Sequence, residues 1–74
     1  MACIKSDGKP THAGMAILRT LEDGPLSPEE VSRQTVLPLF RVRSGLREMA
    51  DFGYVVMDGV TTYALSARGR AALA

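Results

Sequence analysis

The chain has one cysteine and one histidine among its 74 residues, no tryptophan, and only two tyrosines and two phenylalanines. With Cys3 alone, no intrachain disulfide can form and no metal cluster can be built from thiolates, which suits a reducing compartment. No apolar run is long enough to span a bilayer, and no charged segment leading into an apolar stretch reads as a signal peptide. The expectation is a soluble, cytoplasmic chain with no membrane partner. Paired carboxylates, a phosphate loop, metal-ligand spacing and a nucleophile beside a base are all missing as sequence patterns. His12 stands alone near a helix start and is read as a capping or solvated residue. An enzyme is therefore not expected, nor a cofactor or a metal. Internal repeats and low-complexity segments are lacking too.

What is present fits one small domain. Hydrophobic residues make up 46% of the chain, ordinary for a folding sequence. A core built from so few residues often gains stability from a partner chain, so a homodimer is a natural expectation. The net charge is only +1 but unevenly placed. Residues 1–30 carry three cations against five acids; residues 31–74 carry six arginines against three acids. Between Val31 and Arg47 lie Arg33, Arg41, Arg43 and Arg47 with no acid before Glu48, a local positive patch of the kind phosphates attract.

Residues 1–10 mix Gly8, Pro10, charges and single apolar residues without a period, and read as a flexible segment carrying no fold. Residues 11–74 read as the domain. Thr11 can cap a helix whose Gly14, Ile17, Leu18 and Leu21 share one face, ending by Gly24 and Pro25. Ser27-Pro28-Glu29-Glu30 places a cap, a proline at the first helical position and a Glu three residues after the cap, which predicts a capping box. That second helix runs to about Thr35, because Pro38 forbids its continuation. A third helix, Leu39 to about Phe52, clusters Val42, Gly45, Leu46 and Met49 on one side and stops at Gly53. Tyr54 to Met57, Asp58-Gly59 and Val60 to Leu65 then read as strand, two-residue turn and strand. Ser66 can cap a short last helix from Ala67 to about Leu73.

The short joint around Val36-Leu37-Pro38 forces a sharp crossing of the second and third helices. That arrangement holds the exposed face of the third helix away from the body. The segment from Val31 through Pro38 and Leu39 to Val55 resembles the helix-turn-helix core of bacterial and archaeal winged-helix regulators. The tail Tyr63-Ala64-Leu65-Ser66-Ala67-Arg68-Gly69-Arg70 is similar to the end of their wing and the start of the following helix. The resemblance covers roughly residues 11–73 and fits no particular subfamily. It implies an α+β winged helix-turn-helix: a three-helix core, a two-stranded β-hairpin wing and a short C-terminal helix. By the same resemblance, the helix Leu39–Phe52 is the recognition helix of a prokaryotic DNA-binding transcription regulator. It would enter the major groove of double-stranded DNA, with the wing at Asp58-Gly59 and Thr61 near the backbone or minor groove.

Two positions depart from that pattern. The turn residue that is usually glycine is Val36, and the usually polar first turn of the recognition helix is Leu39-Phe40. Stepping from Val42 puts Phe40 opposite the buried stripe, beside Ser44, Arg47 and Asp51. Three readings of Phe40 stand side by side: contact with a thymine methyl, an anchor for a protein partner, or a surface aromatic shielded by neighbouring chain. Arg41, Arg43 and Arg47 flank it, where guanidinium groups suit phosphates or a guanine edge, the plainer reading being a solvated basic face. For Arg33, solvation is the stronger reading; Arg68 and Arg70 are either solvated or near the backbone beside the wing. The alternative function is a winged-helix protein-interaction module using Phe40 and the neighbouring arginines.

Overall fold

Hydroxyl side chains start three of the four helices. Thr11 Oγ1 accepts the Gly14 N–H at 3.1 Å, Ser27 Oγ that of Glu30 at 3.2 Å, and Ser66 Oγ that of Gly69 at 3.1 Å. Each closes one of the amides that a helix start leaves without an internal partner. The computed structural model describes residues 2–74 and gives α1 (His12–Thr20), α2 (Pro28–Thr35), α3 (Leu39–Asp51), β1 (Val55–Met57), β2 (Tyr63–Leu65) and α4 (Ala67–Leu73). At α2 only half of the expected capping box forms. The Glu30 carboxylate turns away from Ser27 to accept from Arg33 and Gln34 instead.

The fold is α+β, with three helices, an antiparallel hairpin and a closing helix in the winged-helix order. Ile17, Leu18 and Leu21 of the first helical segment meet Val31 from α2 and Val42, Leu46 and Met49 from α3, all with no exposed surface. Spacing of three and four places these residues on one face of each helix, and burying those faces together is what orders the elements. Val55 and Leu65 close the core from the hairpin, with Tyr54 just before it. The strands pair Val55 with Leu65, Val56 with Ala64 and Met57 with Tyr63. Leu26, in the link between α1 and α2, adds a bridge on the far side of β2 through two hydrogen bonds with Tyr63, of 3.0 and 2.9 Å. No helix among the described residues is long and apolar enough to cross a membrane.

Two expectations are corrected. The hairpin does not turn on two residues at Asp58-Gly59. Asp58 N–H donates to Thr62 O at 2.8 Å, so the wing loop spans residues 58–62 and the second strand begins only at Tyr63. A two-residue turn of the type expected needs positive φ at both central residues, and here only Gly59 has it.

The N-terminal segment is not a loose lead-in. Ile4 bridges Pro10, Lys5 N–H donates to Lys9 O at 2.8 Å, and Gly8 N–H returns to Lys5 O at 2.9 Å, forming a small closed turn. Thr11 N–H donates to Cys3 O at 2.8 Å, and Cys3 N–H donates to Glu48 Oε1 of α3 at 2.9 Å. Cys3 and Ile4 are 3% and 7% exposed and belong to the core. Two glycines make room for them. A Cβ at Gly45 would lie 2.5 Å from Cys3 Sγ, and one at Gly14 would collide with Cys3 O. Burial pushes the Cys3 thiol above its ordinary pKa, with the nearby Glu48 charge adding to the effect.

Candidate nucleic-acid interface

The joint between α2 and α3 is built from short-range hydrogen bonds. Val36 N–H donates to Ser32 O at 2.9 Å, Ser32 Oγ–H donates to Leu37 O at 2.6 Å, and Leu37 N–H donates to Thr35 Oγ1 at 3.3 Å. Val36 closes α2 in the left-handed region, at φ 61°, and it is the one non-glycine residue with positive φ among those described. Its side chain is 88% exposed. α3 then starts behind Pro38 without a side-chain cap. The N–H groups of its opening turn are therefore free of a capping side chain, a feature that favours anions near this end.

The outer face of α3 carries four of the residues named from the sequence. Phe40 is 70% exposed, and Arg43, Ser44 and Arg47 are exposed beside it. Arg41 lies off that face, half-buried, with its guanidinium carbon 5.5 Å from the Phe40 ring centre. Arg47 Nε reaches back to Arg43 O at 3.4 Å. Toward the far end the face turns acidic: Glu48 and Asp51 join Ser44 and Arg47 around a shallow depression. The part suited to phosphate is thus the first half of α3.

The acid-free run of arginines is not acid-free once folded. Glu29 and Glu30 stand just before the counted stretch, in the first turn of α2. Arg33 pairs with Glu30, and Arg43 Nη2 pairs with Glu29 at 2.8 Å across the two helices. Glu29 is held below the usual carboxylate range by its own backbone N–H and then by Arg43, and Glu30 by Arg33 and then Gln34. Both pairs lie in solvent. Such exposed pairs hold a side chain's position only weakly, so a phosphate can take the guanidinium over.

Between α3, the start of α2 and the wing lies an open depression of about 320 Å³. Arg43, Arg47 and Thr61 line it, together with Glu29, Met57 and Val60. Asp58 and Gly59 shape the loop instead of facing this groove, and Arg33, Phe40 and Ser44 stand outside it. Met57, Val60 and Glu29 were missed in reading the sequence. Alternation along the wing was the available signal for Met57, which pairs with Tyr63. Val60, at the wing tip, is 93% exposed. No family model, no curated protein and no solved structure matches this chain. The functional reading accordingly rests on the geometry of this face.

Proposed function

We propose that the protein is a DNA-binding transcription regulator of a prokaryotic cytoplasm that docks the first half of α3 in the major groove of double-stranded DNA. The observation that carries the reading is the shared outer face of α3, where Phe40, Arg43, Ser44 and Arg47 stand together behind a sharp turn. A helix presented in this way matches the groove's width, and Arg and Ser side chains supply donors for phosphates and base edges. Phe40 offers an apolar surface to a thymine methyl. The wing loop 58–62 would lie along the backbone. One domain of this size makes few base contacts, so tight binding calls for two copies on adjacent half-sites or a second subunit. No cofactor enters this reading.

A second reading, a protein-interaction module, draws on the apolar exposure at Phe40 and Val60 and on a wing loop without Lys or Arg. An aromatic flanked by arginine is a frequent interface anchor. The two readings separate in one experiment: duplex selection from a random library at two salt concentrations, repeated with Phe40→Ala and Arg47→Ala. If α3 reads DNA, Arg47→Ala weakens binding and, where the residue meets a phosphate, lowers the salt slope by about one counterion. Phe40→Ala then relaxes preference at one base pair. The absence of any sequence-selective duplex binding by the wild-type chain at low salt would refute the DNA reading.

A further inference from the structure

The N-terminal turn, α1 and α4 border an open surface depression of about 500 Å³. Its apolar wall includes Met15, Tyr54 and Ala72, and its polar rim is Lys5, Lys9 and Arg68. No carboxylate lines it. Lys5 N–H donates to Lys9 O, so the two lysines are cross-strand neighbours in the small N-terminal turn, and both reach the same cavity. Like charges set opposite each other are unfavourable. Asp7 at the tip of that turn relieves part of this: its carboxylate accepts from Lys9 N–H at 3.0 Å, but it stands outside the cavity. Arg68 lies with its guanidinium carbon 4.5 Å from the Tyr54 ring centre and donates to the Tyr54 hydroxyl at 3.1 Å. That hydroxyl in turn donates to Gly8 O at 2.7 Å. The guanidinium is thereby held over the ring, with N–H donors left over. None of these three cations makes an ion pair among the described residues.

We propose that this cavity binds a small amphipathic organic anion, a carboxylate carried on a compact apolar body. The apolar body lies against Tyr54 and Met15, and the carboxylate sits among Lys5, Lys9 and Arg68. The volume lies within the range of ordinary small-molecule sites, and an apolar wall with a few convergent polar groups is their usual composition. An anion here meets three cations that no carboxylate in the lining neutralises. The site also lies two residues from Cys3, whose N–H donates to Glu48 of α3 and whose sulfur lies against Gly45.

The test is an amide-resolved NMR titration of the whole chain with octanoate, octan-1-ol, acetate and inorganic phosphate, and it is independent of DNA binding. Octanoate is expected to give saturable shifts at residues 5–10, Met15 and 68–72, with each of the other three at least about tenfold weaker, because neither charge nor apolar body suffices alone. The double substitution Lys5→Gln, Lys9→Gln should weaken octanoate about tenfold while leaving the thermal midpoint nearly unchanged, since both side chains are exposed and make no ion pair among the described residues. Equal binding of octan-1-ol would reduce the cavity to a greasy patch, and equal binding of acetate or phosphate would reduce it to a cationic surface; either overturns the proposal. So does a failure to saturate, a shift pattern centred elsewhere, or undiminished affinity in the double variant.

Discussion

Replacing Val36 by glycine should make the protein more stable, although it deletes an apolar side chain. Val36 sits at φ 61°. For an L-residue with a Cβ this region costs about 1–2 kcal/mol, and a branched Cβ is among the least suited to it. Glycine relieves the cost but gains freedom in the unfolded chain worth about 0.4–1 kcal/mol. Little burial is lost, because the side chain is 88% exposed. The backbone bond from Val36 N–H to Ser32 O persists in either residue. The balance is a gain of about 0.5–1 kcal/mol, or a few degrees in thermal midpoint for a domain of this size. Urea and thermal unfolding of wild type, Val36→Gly and Val36→Thr form the assay. Threonine keeps the branching and should leave stability near wild type. A glycine variant no more stable than the threonine variant would refute the strain argument and the turn geometry behind it.

Gly45→Ala tests the N-terminal docking by its sign. In a helix interior this change ordinarily stabilises by about 0.5–1 kcal/mol, yet the collision with Cys3 Sγ should make it destabilising by about 1–3 kcal/mol. Adding Cys3→Ala should recover part of the loss in a double-mutant cycle. Ser27→Ala should lose about 0.5–2 kcal/mol by thermal melt, because Ser27 Oγ serves the Glu30 amide. Arg33→Gln should raise the Glu30 carboxyl toward its ordinary value in an NMR titration, since Arg33 is the main cause of its depression. A depressed carboxylate adds stability above its unfolded pKa and loses it as pH falls through the folded one, so the variant should shed some of that acid-side dependence.

The helices were legible because each carries its own local instructions: Thr11, Ser27 and Ser66 at the caps, Pro38 as a stop, and apolar residues three and four apart. Phe40's exposure followed from the helical angle alone. The N-terminal segment was not legible, because Cys3 and Ile4 are two apolar residues without a period, and part of what holds Cys3 comes from α3, more than forty positions away. A signal existed in Gly14 and Gly45: a glycine on the buried stripe of a helix announces that another part of the chain comes close, backbone at Gly14 and the Cys3 sulfur at Gly45. The wing was misread because Asp-Gly is a strong turn signal locally, while the pairing of Asp58 with Thr62 is decided by the hairpin register. The basic patch was overstated because counting along the chain separated Glu29 from Arg43, and folding brings them to 2.8 Å.

The contact of Cys3 with α3 also orders events in time. Residues 3 and 48 are 45 positions apart, so during synthesis the N-terminal turn is made first and waits until α3 exists to receive it. It closes a loop of 45 positions onto α3, so it should open again more readily than the helices it covers. Amide exchange at residues 3–9 is then expected to proceed through undocking of this segment alone, at a free energy below that of global unfolding.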